Sequence, residues 1–124
     1  MTLINSSDRM IGYRALLTKA YDAFNARDIE TVLSTMHPGV KWPNGWEGGW
    51  VHGHRGVRDY WVRQWKAIDP CVIPQSFSVE QDGHILVNVK QIVRDLDGNL
   101  IGQELVQHIY EIEDGLIKTM KIRK

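Results

Sequence analysis

The hydrophobic periodicity of this chain changes once, near residue 68, and that change constrains the fold more than any single motif. Before it, apolar residues recur at steps of three and four, as they do in helices. After it, apolar and polar residues alternate, and Asp-Gly pairs interrupt the alternation where hairpin turns are expected. A block of helices followed by a block of antiparallel strands predicts an α+β fold with helices grouped on one face of a sheet.

The first half predicts three helices. The first follows the candidate caps Ser6 to Asp8 and ends near the sequence NARD. Asp28 is the expected N-cap of a short second helix, which HPG stops at residues 37 to 39. The third starts after Gly53 and runs to about Ile68, where DPCVIP ends it. Its stripe at helical spacing consists of Val57, Tyr60, Trp61, Gln64, Trp65 and Ile68.

The second half predicts four strands, and a short additional strand is expected at residues 39 to 42. The four segments are SFSVEQ, HILVNVKQIVRD, LIGQELVQHIYEIE and LIKTMKIRK. Alternation in the third of them places Glu104, Val106, His108, Tyr110 and Ile112 on one face. Neither face is purely polar. One face is therefore expected to meet the helices and the other to be partly covered, by another subunit.

Length and composition exclude several classes of protein. A chain of 124 residues predicts a single domain over residues 1–124. Lys plus Arg and Asp plus Glu number 15 each, so no basic surface is expected to bind nucleic acid or an anionic membrane. The one cysteine, Cys71, forms no intrachain disulfide, and neither a signal peptide nor an apolar membrane span is recognisable. We expect a cytoplasmic protein.

Several segments together resemble a known superfamily. AYDAFNARDIETVLSTMHPGVKW, VHGHRGVRDYW and HIYEIEDGLIKTMKI are similar to the nuclear transport factor 2-like superfamily, and more narrowly to its SnoaL-like and ketosteroid isomerase-like bacterial members. The resemblance implies a cone-shaped fold, in which three N-terminal helices pack in a strongly curved mixed, mainly antiparallel sheet around a mostly apolar pocket. The superfamily includes isomerases, cyclases, dehydratases, epoxide hydrolases and non-catalytic modules, so fold alone does not decide the reaction.

The resemblance also indicates what this chain lacks. The catalytic tyrosine of the steroid isomerase aligns with Ala20, one residue before Tyr21, and its general-base aspartate aligns with Trp42. Its protonated aspartate aligns with His108. Without the base, that mechanism cannot isomerise a steroid enone. The late acidic base ascribed to polyketide cyclases has no Asp or Glu to supply it in LIKTMKIRK.

His108 is the strongest candidate for chemistry, because histidine is the side chain most readily poised as an acid or base near neutral pH. Tyr110 lies two residues along the same strand face and would orient a substrate oxygen. Gln107 and His52 are further candidate polar partners. The alternative is that His108 is a hydrogen-bonded histidine in a mixed core and that Tyr110 simply packs.

The stretch VKWPNGWEGGWVHGHRG, residues 40–56, places large indoles on an irregular, glycine-rich backbone. This pattern predicts the rim or lid of a cavity. The alternative is a short hairpin that plugs the open end of the cone or meets a second subunit. The expected ligand-binding residues are Trp42, Trp46, Trp50, His52, Trp61, Trp65 and Tyr21.

Two further patterns have alternative explanations. His52 and His54, with Glu47, would supply three metal ligands, but His54 fits better as an exposed residue in the first turn of the third helix. Three arginines, Arg55, Arg58 and Arg63, would clamp a carboxylate or else form the solvated side of that helix. We therefore predict no metal and no cofactor.

Two functions fit these observations. The first is a SnoaL-like enzyme that performs cofactor-independent acid–base chemistry on a small apolar, oxygenated molecule, such as cyclisation, isomerisation or dehydration. The second is a non-catalytic module for ligand binding or dimerisation. Both are expected to form a homodimer through the outer face of the sheet.

Overall fold

Within residues 6–124, which the computed structural model describes with side chains from Met10 onward, the chain forms three helices and six strands. The helices are α1 (Ser6–Asn25), α2 (Ile29–Ser34) and α3 (Gly53–Ala67). The strands are β1 (Met36–Pro43), β2 (Trp50–His52), β3 (Asp69–Val79), β4 (Ile85–Arg94), β5 (Leu100–Glu113) and β6 (Leu116–Arg123). The predicted α+β class is confirmed. None of the described helices is long and apolar enough to cross a membrane.

All six strands form one sheet in the order β2-β1-β6-β5-β4-β3. Every neighbouring pair is antiparallel except β1 and β6, which are parallel, so the sheet is mixed and mainly antiparallel as predicted. The first helix packs on β3, and α3 packs mainly on β1 and β2. The facing predicted for β5 is confirmed, because Val106, His108 and Tyr110 are all buried while Leu105 and Glu111 are exposed.

The bounds of α1 agree with the sequence, and α2 is capped as expected. The predicted end of α2 is wrong, because the helix ends at Ser34 and the HPG stretch at residues 37–39 lies in β1. The Asp28 side chain accepts a hydrogen bond from the backbone N–H of Thr31 at 3.3 Å. This bond supplies an acceptor for one of the free N–H groups at the start of α2. The side chains of the candidate caps Ser6, Ser7 and Asp8 lie outside the described residues.

The expected strand boundaries are wrong in two places. The strand predicted at residues 39–42 extends over Met36–Pro43, and β3 begins at Asp69 rather than at Ser76. The DPCVIP stretch therefore ends α3 but also opens β3. Pro70 and Pro74 are tolerated there because β3 is an edge strand, whose outer side needs no ladder donors. The register shifts between Pro74 and Ser76.

The tryptophan-rich stretch folds as a hairpin, and its strand β2 was not predicted. Trp42 pairs with Val51 and Pro43 with Trp50 in an antiparallel ladder. The connection contains Gly48 and Gly49 at φ values of 93° and 77°, which only glycine adopts without strain. The indole spacing of four residues thus comes from a turn and not from a helix.

Candidate functional site

A cavity of about 710 Å³ lies between the helices and the inner face of the sheet. Its volume is in the range that holds a small organic molecule. Its aromatic walls are Tyr21, Phe24, Trp42, Trp46, Trp50, Tyr60, Trp61 and Tyr110. Its other polar lining residues are Asn44, Gln64, Gln91, Glu104, His108, Lys121 and Lys124.

His108 is a buried polar group in the wall of this cavity. It lies on β5 opposite Val87 of β4 and Ile122 of β6, and it is only 5% exposed. The Tyr21 hydroxyl lies 2.8 Å from His108 Nδ1. Tyr110 donates its own hydroxyl proton to the Tyr21 oxygen, also at 2.8 Å. A helix and a strand therefore combine to build a chain of three hydrogen-bonded groups.

The order of protons in this chain fixes the state of the imidazole. Because Tyr110 donates to Tyr21, the Tyr21 oxygen already accepts one hydrogen bond, and its own proton is free to be donated to His108 Nδ1. Nδ1 then acts as an acceptor, so the ring proton of the neutral imidazole is on Nε2. Nε2 makes no hydrogen bond to the described backbone or to the side chains from Met10 onward, and His108 lines the cavity.

Burial keeps all three groups uncharged near neutral pH. Desolvation lowers the pKa of His108 to about 4, well below its ordinary value of 6.5. Desolvation also disfavours the charged form of the two tyrosines, so it raises the pKa of Tyr21 and that of Tyr110. The neighbouring Tyr110 raises the pKa of Tyr21 further. The chain consequently presents a neutral N–H donor to the cavity rather than a charged acid.

Trp42 lies where the resemblance placed the aspartate base of the steroid isomerase. Its ring makes an edge contact with Trp61 at a centroid distance of 5.6 Å and a tilted contact with Tyr110 at 6.3 Å. This position is therefore an apolar wall beside the hydrogen-bonded chain. Trp61 is almost completely buried, in agreement with its expected core position.

Three of the predicted polar or aromatic residues do not line the cavity. Trp65 stacks on Trp61 at a centroid distance of 5.8 Å, and its Nε1 is buried without a partner among the described residues. His52 is exposed at the end of β2. Gln107 lies on the outer face, where it bonds Asn88 and Arg123, so it is not a partner of His108.

The mouth of the cavity is formed in part by the hairpin. Trp46 and Trp50 line it and are about two-fifths exposed, at 41% and 43%. The Lys41 ammonium lies 4.3 Å from the centre of the Trp50 ring, where the cation is attracted by the aromatic face. The loop is held in place, because Asn44 Oδ1 accepts hydrogen bonds from the backbone N–H groups of Trp46 and Glu47.

The histidine and arginine side chains considered as metal or carboxylate ligands mostly bind groups of the protein itself. His54 Nε2 lies 2.9 Å from the carbonyl oxygen of Met36 and is half-buried, so it is not the exposed residue that we expected. Arg63 pairs with Glu47 at 2.8 Å. Arg58 pairs with Glu30, and none of the three arginines lines the cavity.

Sequence reasoning assigned no site role to Tyr60 and Gln64, which line the cavity from α3. Gln64 donates to the Tyr60 oxygen through Nε2 at 3.3 Å. The available signal was the presence of Gln64 in an otherwise apolar stripe, four residues after Tyr60. A polar side chain on the inward face of a helix indicates either a buried hydrogen bond or a ligand contact.

Residues 17–120 match the family model of the SnoaL-like domain. No curated protein matches the chain in sequence. Among solved structures, TerC co-crystallised with polyporic acid is 26% identical, with a TM-score of 0.78 over 90% of this chain and 89% of TerC.

Two further structures are similar in fold alone. A candidate polyketide cyclase from Sinorhizobium meliloti is 22% identical, with a TM-score of 0.74 over 88% of this chain and 94% of the cyclase. An epoxide hydrolase of the LEH-like type from Mycobacterium tuberculosis is 16% identical, with a TM-score of 0.76 over 92% of this chain and 83% of the hydrolase.

Proposed function

The chain belongs to the SnoaL-like family, and from that premise we propose that it binds a small apolar molecule carrying a carbonyl-type oxygen and catalyses cofactor-independent acid–base chemistry on it. Cyclisation, isomerisation and dehydration all belong to this class. The observation that carries the proposal is the Tyr110–Tyr21–His108 chain in the wall of an otherwise largely aromatic cavity.

In this proposal His108 Nε2–H donates a hydrogen bond to the ligand oxygen. Solvent water or hydroxide that enters through the open mouth of the cavity takes the proton from the carbon next to the carbonyl. The N–H stabilises the negative charge that then develops on the ligand oxygen, as in an enolate, and Tyr21 holds the donor in place. A fixed donor in a site of low dielectric needs no reorganisation during the reaction, and such a group contributes roughly a hundredfold to a thousandfold in rate in other enzymes. Trp42 and Trp61 would hold the apolar part of the ligand.

The TerC complex supports the ligand class. Polyporic acid is a small oxygenated organic molecule, and TerC is more than a quarter identical to this chain over nine-tenths of its length. A ligand of that kind suits a cavity that combines aromatic walls with polar groups such as His108.

A second candidate function is a binding module without chemistry. It is favoured by the absence of a carboxylate beside His108 among the described residues. Among the lining residues that the structure describes, Glu104 alone is acidic, and it is exposed and paired with Lys124 at 3.3 Å. Such a module would use the same donor to hold the ligand oxygen, but no base would remove a carbon-bound proton.

Hydrogen exchange on a simple ketone separates the two functions. Benzylacetone is incubated with the protein in heavy water near pH 7, and NMR follows loss of the protons next to its carbonyl and, separately, binding. Catalysis predicts exchange faster than in buffer and at least about tenfold slower in His108→Ala. Binding that His108→Ala weakens, without accelerated exchange, identifies the module.

The matched control is Gln107→Leu, on the neighbouring residue of β5 but on its outer face. It should leave both ketone binding and exchange unchanged. Equal behaviour of the wild type and His108→Ala in both measurements would contradict the proposal.

We also propose that the protein forms a homodimer through the outer face of the sheet. That face combines exposed apolar side chains, including Leu105 and Ile73, with polar Gln103 and Lys90. Exposed apolar side chains clustered on one face and rimmed by polar ones are typical of protein interfaces.

A further inference from the structure

The hydroxyl of Tyr60 is a second polar group in the cavity wall, on α3. Tyr60 is buried, and its oxygen accepts a hydrogen bond from Gln64 Nε2 at 3.3 Å. Burial raises the pKa of Tyr60, and the nearby backbone N–H groups of Trp46 and Gly45 lower it by less. The hydroxyl therefore stays protonated, and its oxygen accepts the hydrogen bond from Gln64.

The proton of Tyr60 and the oxygen of Gln64 are left without partners. Among the groups that the structure describes, none accepts a hydrogen bond from the Tyr60 hydroxyl, and none donates to Gln64 Oε1. Both side chains line the cavity. One free donor beside one free acceptor matches an alcohol or phenol, because a hydroxyl both accepts and donates. A carbonyl would leave Gln64 without a donor, and an apolar group would satisfy neither.

The two polar sets are on different walls. His108 belongs to the sheet and Tyr60 to α3. The indole of Trp42 contacts Tyr110, which is on the same strand as His108, and also Trp61, which is on the same helix as Tyr60. A ligand that reaches both sets must carry its two oxygen groups on either side of an apolar segment lying against Trp42. His108 Nε2–H only donates, so the oxygen on its side needs to be only an acceptor.

We propose that Tyr60 and Gln64 form a hydroxyl-binding subsite, and that the ligand is a hydroxy-ketone with an apolar skeleton between its two oxygens. The carbonyl end of this inference rests on the proposed function, whereas the hydroxyl end rests on Tyr60 and Gln64 alone. The donor and acceptor of this subsite select hydroxylated ligands over analogues that lack the hydroxyl.

The test compares benzylacetone with its para-hydroxyl derivative, a flexible pair that differs by one phenolic oxygen. Dissociation constants are measured by ligand-observed NMR on the wild type, Tyr60→Phe and Gln64→Leu. We expect the hydroxyl to improve affinity about tenfold in the wild type, the value of roughly one or two well-placed hydrogen bonds. That gain should disappear in Tyr60→Phe and shrink in Gln64→Leu, while benzylacetone binds all three proteins equally.

Matched variants separate the subsite from general damage to the fold. Gln107→Leu makes the same change on the outer face, and Tyr13→Phe removes a hydroxyl from α1 outside the cavity lining. Both should retain the full gain. If Tyr60→Phe fails to fold, the subsite is tested by comparing two other variants. The affinity gained from the para-hydroxyl group should then be smaller in Gln64→Leu than in Gln107→Leu.

The outcomes distinguish this inference from the function on which it partly rests. If the para-hydroxyl compound binds the wild type no better than benzylacetone, the subsite is wrong even when His108→Ala weakens binding of both ketones. A gain that persists unchanged in Tyr60→Phe and Gln64→Leu would also overturn it. If neither ketone binds at millimolar concentration, the proposed function fails and the inference fails with it.

Discussion

The Tyr21 hydroxyl and His108 Nδ1 lie 2.8 Å apart although 87 residues separate them in the chain. The contact joins α1 to the inner face of β5, and Leu17 and Val106 on these two elements belong to the buried core. A hydrogen bond to a buried neutral imidazole selects one of its two tautomers. The packing of a helix on the sheet thereby decides which nitrogen of His108 carries the proton towards the cavity.

Replacement of Tyr21 by Phe should release this control. In the wild type, the nitrogen NMR spectrum of isotope-labelled histidine should show His108 with a protonated Nε2 and an acceptor Nδ1. In Tyr21→Phe, Nδ1 loses its partner at 2.8 Å and keeps only the more distant Tyr110 hydroxyl at 3.5 Å. We therefore expect a mixture of tautomers and a loss of about 1 to 3 kcal/mol in the free energy of unfolding.

Tyr110→Phe is the control for that experiment, since it removes the outer hydroxyl but leaves the one that bonds His108. It should keep the protonated Nε2. A wild-type spectrum with the proton on Nδ1 would contradict the proton order inferred for the chain.

The buried, neutral state of His108 should make stability depend on pH in a defined window. The folded-state pKa of about 4 lies below the ordinary value of 6.5, so between these values the unfolded chain binds more protons. The free energy of unfolding should fall as the pH drops through this window and be independent of His108 above it. From pH 7 to 4.5 this contribution is about 2 to 3 kcal/mol.

Urea unfolding of the wild type and of His108→Gln at both pH values measures this effect. Carboxylates whose pKa is lowered, such as Glu47 and Asp95, destabilise both proteins equally on acidification. The wild type should therefore lose more stability than the variant. Equal losses would show that His108 is not held neutral by burial.

Two tryptophans of the same cavity should differ sharply in their contribution to stability. Trp61 is 2% exposed and packs on Phe24 and Trp42, whereas Trp46 is 41% exposed. Trp61→Ala should lower the free energy of unfolding by about 3 to 5 kcal/mol, because it leaves a large cavity in the core. Trp46→Ala should change it by roughly 0.5 kcal/mol or less. Chemical denaturation of both variants measures the difference, and a Trp46→Ala as damaging as Trp61→Ala would show that the hairpin belongs to the core.

A charge on the outer face of the sheet should dissociate the proposed homodimer. Leu105 is 75% exposed at the centre of that face, between Gln103 and Gln107. Leu105→Lys should give a monomer in light scattering at micromolar concentration. Formation of the dimer would remove the lysine ammonium from water, which costs free energy. Ile11→Lys, an equally exposed apolar position on α1, should remain a dimer. A monomeric wild type would rule out the interface.

The sequence by itself determined the parts of the structure that depend on local periodicity. Helical spacing located α1 and α3, and alternation correctly assigned Val106, His108 and Tyr110 to the buried face of β5. The resemblance supplied the mixed, mainly antiparallel sheet. The unexpected strands involve Pro70, Pro74 and the glycines of the hairpin, where the position of a strand in the sheet overrides its local propensity.

Only the tertiary structure decided what the candidate site contains. No sequence pattern links Tyr21 to His108, because their hydrogen bond depends on the rotation of α1 about its axis and on its position over the sheet. The hydrogen bond between Tyr60 and Gln64 depends only on their spacing along α3, but their position in the cavity wall depends on how α3 packs against the sheet. Spacing along one element fixes which side chains share a face, whereas the groups that meet across a cavity are fixed by the packing of separate elements.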